Sequence, residues 1–182
     1  MSIQVADKYL HDALTDYEIK ELNKDSVFVP YDQVKYYKSI DELFQGKNKA
    51  IILYLFTTNS GHYVCLFKRG KYLSFFNSYG REPDEDVLKL DPEKRKEFNE
   101  TEPYLFYLMA QSNKPCEYND TRLQSNGTST CGWHCTHRLW YAHLSSEQYL
   151  SEIQKSVDYY KVYADKIVVS DVLPKLLEVR EK

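Results

Sequence analysis

The seven-residue run Ala50-Ile-Ile-Leu-Tyr-Leu-Phe56 constrains this chain most, because it is apolar on both faces and bounded by Thr57-Thr-Asn-Ser-Gly61. A strand of that kind must be covered above and below, so it predicts the interior of a sheet with helices on both sides. The sheet continues beyond Gly61. His62 to Phe67, the turn Lys68-Arg-Gly-Lys71, and Tyr72 to Asn77 read as a hairpin closed by Ser78-Tyr-Gly80. The apolar run is far shorter than the ~20 residues that span a bilayer. The opening MSIQVADKYL has no basic-then-apolar signal pattern. A soluble, unsecreted protein is expected.

At 182 residues the chain is expected to form a single domain over 1–182. Around the sheet, Thr15-x-x-Glu18 makes a capping box inside an amphipathic stretch, and Ser39 to Phe44 suits a brief helix before Gly46. Glu82 to Glu102 carries nine acidic and four basic residues. That balance predicts a solvated insertion or a pair of exposed helical turns. Tyr104 to Ala110 reads as a buried helix, Cys116 to Asn119 as a short strand, and Cys131 to Leu144 and Ser146 to Ala164 as helices. Ile167-Val-Val169 reads as a last strand. The class is therefore α+β, a central mixed β-sheet flanked by helices.

Four cysteines in a chain without a signal point to reduced, catalytic or metal-bound thiols rather than disulfides. On the same ground the three Asn-x-Thr sequons at Asn99, Asn119 and Asn126 are expected to be chance. Cys131 follows the polar loop Gln124-Ser-Asn-Gly-Thr-Ser-Thr130 and opens an apolar helical pattern. Unpaired N–H groups and the helix dipole at such a start help bring a thiol pKa from ~8.5 into the ~3.5–7.5 range. That is how a nucleophile is made. A thiol also needs a base, and His62 begins a strand just after Asn59-Ser-Gly61. Asn77 ends the next strand of the same hairpin, where it can orient the imidazole through a neutral hydrogen bond. Gln124 and the Cys131 backbone N–H are candidate donors to an oxyanion. Taken singly, each has an ordinary reading: a packed cysteine, a strand-end histidine, a turn asparagine and a loop glutamine.

Together, Gly-His-Tyr, then Phe-Phe-Asn-Ser-Tyr-Gly, then Leu-Gln-Ser-Asn-Gly-Thr-Ser-Thr-Cys-Gly resemble the adenain and Ulp-type family of cysteine proteases over residues 61 to 135. Leu14 to Leu22 resembles the opening helix of many relatives. Within the family the match is closest to maturation proteases of large DNA viruses, virophages and polinton-like elements. The resemblance implies a papain-like fold with Cys131 as nucleophile, His62 as general base and acid, Asn77 as orienting residue and Gln124 as oxyanion donor. It implies no cofactor and no metal. Two positions depart from the pattern. The usual His-Trp is His62-Tyr63, and the usual acidic third member is Asn77, which orients the base less strongly than a carboxylate.

The resemblance further implies cleavage after a small residue, Gly-Gly or Gly-x, in an extended peptide lying in a narrow groove. Trp133, Tyr63 and Tyr79 are candidates for its walls, or for core. The substrates implied are capsid precursor proteins, processed in the virion or in the host-cell cytoplasm by a monomer. The chain contains no Gly-Gly pair, so cutting of itself at such a site is not expected. A net charge of −3 gives no basic stripe, and neither a DNA activator nor a membrane is expected, while Cys116 or Cys65 could accept an activating peptide.

Two other readings compete. A deubiquitinase or deSUMOylase would use the same residues, but cellular enzymes of that kind carry longer extensions. A non-enzymatic virion protein stabilised by zinc would use Cys131, His134 and Cys135, at i, i+3 and i+4, completed by His137, Cys116 or Cys65. Otherwise His134, His137 and His143 are expected to be surface or packing residues, and His11 to be exposed.

Overall fold

A computed structural model describes residues 3–181. Its centre is a five-stranded mixed sheet in the order β1 (Val27–Pro30), β2 (Lys49–Thr57), β3 (Ser60–Arg69), β4 (Tyr72–Phe76), β5 (Cys116–Tyr118). The β2–β3 and β3–β4 pairs are antiparallel, and the outer β1–β2 and β4–β5 pairs are parallel. The predicted hairpin is present, with Arg69 opposite Tyr72 and Gly70 at a positive φ in the turn. Helices cover both faces, as the double-faced apolar run requires, so the α+β class with a flanked central mixed sheet stands.

Period-two alternation sorts the strands onto two cores. Ile51, Tyr63, Cys65, Phe67 and Phe76 face one side. They meet α1 (Asp16–Leu22), α7 (Cys131–Trp140), α8 (Ser146–Tyr160) and α9 (Ala164–Arg180), with a 3-10 turn over Val5–Tyr9. Ala50, Ile52, Tyr54, Val64, Leu66, Leu73 and Phe75 face the other. There they meet α2 (Tyr31–Val34), α3 (Ile40–Phe44) and α6 (Tyr104–Gln111). The capping box read from sequence is made by Thr15 and Glu18, and the brief helix after Ser39 is present, with Ser39 accepting from the Glu42 N–H.

Three expectations are corrected. Ile167-Val168-Val169 is not a strand but lies within α9, all three side chains buried. Val168, Val169, Val172, Leu173, Leu176 and Val179 recur with helical period, and burial of that stripe outweighs the local β preference of a branched run. Helix α6 is not buried all round: Leu105, Leu108 and Met109 point inward, while Phe106 and Tyr107 are 53% and 47% exposed. The acidic stretch does form two short helices, α4 (Glu85–Leu88) and α5 (Pro92–Glu97), yet it is not simply solvated. Asp84, Asp86 and Glu100 are buried.

Two of those carboxylates make stability depend on pH. Burial raises Asp84 to about 6 and Glu100 to about 7, against hydrogen bonds from the Phe106 and Leu55 N–H groups. Both values lie above the unfolded ones of about 4, so the native state holds protons the unfolded chain has released. Their contribution is complete below about pH 4 and is lost as pH rises through about 6 to 7. Urea unfolding of Glu100→Gln at pH 5 and pH 8 should therefore show a smaller drop than the parent, by about 2 to 3 kcal/mol. Equal drops in the two proteins would remove Glu100 from the explanation.

Candidate active site

The hairpin, the turn after it and the start of α7 converge. β3 extends past the end of β4, so His62 lies beyond the last ladder pair, Cys65 with Phe76, and its ring reaches Asn77 just after β4. His62 is 1% exposed. Its Nε2 lies 2.8 Å from Asn77 Oδ1. The ring stacks on Tyr79, centroids 4.2 Å apart and planes 9° apart, with Phe56 parallel to it at 6.2 Å. Two aromatic faces thus fix the plane of the imidazole.

The direction of the Asn77 amide is settled by its other partners. Oδ1 also accepts from the Tyr79 N–H at 2.9 Å, and Nδ2 donates to Asp86 Oδ2 at 2.6 Å. With Oδ1 an acceptor, His62 Nε2 must carry the proton, which leaves Nδ1 for another partner. Nδ1 is buried and has no hydrogen-bond partner among the described residues, which leaves it free for a reacting group. The backbone of Asn77 is held as firmly: its N–H donates to Asn119 Oδ1 and its C=O accepts from Asn119 Nδ2. Gly80 completes the turn at φ +68, where a Cβ would lie 2.6 Å from the Thr121 backbone. No other residue fits there.

Cys131 is the first residue of α7 and partly buried. The helix start can approach β3 because residue 132 is glycine; a Cβ there would stand 3.2 Å from Leu14 and 3.3 Å from the Tyr63 ring. Burial pushes the Cys131 thiol up, but the neighbouring His62 imidazole and the N–H groups of Tyr63 and Gly132 bring it below the ordinary thiol value. Burial likewise disfavours a charged His62, yet the neighbouring Cys131 thiol, then Asp86 and Asn77, hold its pKa above the usual histidine value. The pair therefore favours thiolate and imidazolium together.

Gln124 is buried beside them. Its Oε1 accepts from Ser78 Oγ at 2.7 Å, which turns Nε2 toward the Thr128 carbonyl at 3.0 Å with one hydrogen to spare. The Ser78 carbonyl also accepts from the Leu123 and Gln124 N–H groups. One turn thus positions both Asn77 and Gln124. A groove of about 590 Å³ runs past Cys131, lined by Leu14, Asp16, Leu53, Leu55, Gly61, Tyr63, Tyr79, Gln124 and Ser129. The structure brings Cys131, His62, Asn77 and Gln124 together, as the sequence suggested. Tyr63 and Tyr79 line the groove, whereas Trp133 is core, donating from Nε1 to the Asp12 carbonyl.

The i, i+3, i+4 set on α7 does not converge. His134 turns to Asp165, and Cys135 Sγ donates to the Tyr63 carbonyl. Among the described residues no three His, Cys, Asp or Glu side chains gather as a metal site needs, and no helix is long and apolar enough to cross a membrane. His137 is a packing residue, between Tyr149 Oη and Asp171, and His11 is exposed.

Two residues that the sequence did not single out support the site. Asp86 is one; the acidic run disguises it, and its only signal is the adjoining Val87-Leu88. Asp165 is the other. From α9 it accepts the Ser125 N–H at 2.9 Å, the Thr128 and Thr130 hydroxyls and His134 Nε2, tying down the loop between Gln124 and Cys131. Burial alone would raise its pKa, but His134, Ser125 and Thr130 hold it well below the carboxylate range. Asp165→Ala strands these buried donors and should cost about 3 kcal/mol in urea unfolding. A loss under about 0.5 kcal/mol would mean the loop is held by other contacts.

No family model matches the chain. It is 32% identical over 160 residues, 86% of this chain and 91% of the relative, to the uncharacterized protein V9 of Sputnik virophage. Among solved structures it is similar to an ASFV protease, with TM-score 0.42 and 16% identity over 76% of this chain and 62% of that one. It is also similar to ChlaDub1 from Chlamydia trachomatis, with TM-score 0.29 and 13% identity over 89% of this chain and 81% of that one. The chain thus spans less than two thirds of the length of the ASFV protease.

Proposed function

The chain belongs to the family of protein V9 of Sputnik virophage, and from that premise and the geometry of the site we propose that it is a cysteine endopeptidase of the papain-like, adenain/Ulp type. The observation that carries this reading is the pairing of Cys131, at a helix N-terminus, with a buried His62 whose proton on Nε2 is fixed by Asn77. In this reading the Cys131 thiolate adds to the scissile carbonyl, and the oxyanion takes hydrogen bonds from the Cys131 N–H and Gln124 Nε2. His62 Nδ1 then gives its proton to the departing amine, leaving a thioester on Cys131. Water attacks the thioester while His62 takes its proton, and the carboxylic acid leaves as the thiol pair is restored.

The substrates we assign are viral precursor proteins, capsid precursors first, cut after Gly-Gly or Gly-x. The rings of Tyr63 and Tyr79 share the groove with Cys131, which supports a small residue beside the scissile bond. The test is a fluorogenic peptide library biased to Gly-Gly and Gly-x, with a chelator arm, a DNA arm and a ubiquitin-type substrate. Cleavage after a small residue that survives chelation supports the proposal. Turnover of the ubiquitin-type substrate alone would move the assignment to a modifier protease, and no turnover with one equivalent of zinc bound would move it to a structural protein.

A further inference from the structure

We propose that Asp86 is a positioning residue of the site: a buried carboxylate that fixes the Asn77 amide with its oxygen toward His62 and supplies, one residue further out, the negative charge an acidic third member would supply directly. The proposal rests on the Cys131–His62 pairing described above and goes beyond it.

A carboxamide presents an oxygen and an amino group of nearly the same shape, so an asparagine orients an imidazole only if it cannot flip. Asp86 forbids the flip. Its Oδ2 accepts from Asn77 Nδ2 at 2.6 Å, and a reversed amide would set Oδ1 against the carboxylate and the amino group against the Tyr79 N–H. Asp86 is itself held: its residue is 3% exposed and Oδ1 pairs with the Arg81 guanidinium. The charge of Asp86 also acts on the ring through the amide. His62 faces the Cys131 thiol from α7, the Asn77 amide, the Asp86 carboxylate from α4 and the rings of Tyr79 and Phe56. Among those groups Asp86 is the one that is anionic independently of the thiol. The guanidiniums of Arg81 and Arg122 lie 5.4 and 5.0 Å from the Tyr79 ring.

The consequence is a readout that packing alone does not give. Asp86→Asn keeps the shape and an acceptor for Asn77 but removes the charge. The imidazolium is then less favoured, and so is the thiolate. The pH midpoint of Cys131 alkylation by iodoacetamide, followed by mass spectrometry of the whole protein, should rise by about 0.5 to 1 unit, so the rate at pH 6 falls about three- to ten-fold. The exchange Asn77→Asp with Asp86→Asn returns a carboxylate to the ring and should bring the midpoint back to the parent value. Thermal midpoints of the variants report folding. A folded Asp86→Asn with an unmoved midpoint, or a folded double exchange that fails to recover, would overturn the proposal. If the parent itself shows no lowered thiol midpoint, the pairing of Cys131 with His62 fails as well. Because alkylation needs no peptide, the two failures are told apart.

Discussion

Replacing Cys131 by alanine, or His62 by alanine, should lower peptide cleavage by about 10⁴-fold or more, the scale on which a nucleophile or its base is lost from a hydrolase of this logic. The two should be nearly equivalent and not additive, because each is useless without the other. The structural reason is the shared burial of the pair. The Cys131 thiol is held below its ordinary pKa chiefly by His62, against burial that would raise it. Without His62 the same burial is opposed only by the N–H groups of Tyr63 and Gly132, and the thiol becomes a poor nucleophile at neutral pH. The measurement is kcat/KM of parent, single and double variants on the best library peptide. A His62→Ala protein retaining a tenth of the parent rate would show that another group serves as the base.

Gln124→Ala should cost about 10²- to 10³-fold in kcat with little change in KM, the effect of removing one oxyanion donor. The donor acts on charge that develops only in the transition state, so ground-state binding of the peptide is left alone. Gln124 is suited to this because Ser78 Oγ fixes its Oε1 and thereby aims its amino group. Ser78→Ala should then show a weaker version of the same loss, by releasing that orientation. A Gln124→Ala variant whose KM rises while kcat holds would assign Gln124 to substrate binding instead.

Legibility in the sequence tracks the range of the forces involved. The hairpin from His62 to Asn77 and the helix start at Cys131 were legible because their signals are local: a glycine at the turn, and a polar loop giving way to an apolar helical period. The hairpin alone brings His62 and Asn77 to one rim, and the close approach that Gly132 allows to Leu14 and Tyr63 adds Cys131 to it. Asp86 was not legible. Charge density in its segment argues for water, and only packing of Val87 against the second core draws the carboxylate inward to Asn77. Asp165 was hidden for the same reason, since its partners lie some 30 to 40 positions away in the chain. Ile167 to Val169 differ from a strand for another reason. Three branched residues in a row satisfy a strand locally, while the stripe that makes them helical is visible only over the whole of α9.

The most direct test of the pairing of Cys131 with His62 uses the two accessible thiols as signal and reference. Cys131 lines the groove, whereas Cys116 is exposed, outside any disulfide, and raised by its partial burial. Limiting iodoacetamide at pH 6.5, with peptide mapping of the adducts, reads their relative thiolate content. The expected result is labelling of Cys131 well ahead of Cys116 in the parent, with that preference lost in His62→Ala. Labelling of Cys116 first, or a preference for Cys131 that survives His62→Ala, would contradict the pairing on which the proposed chemistry depends.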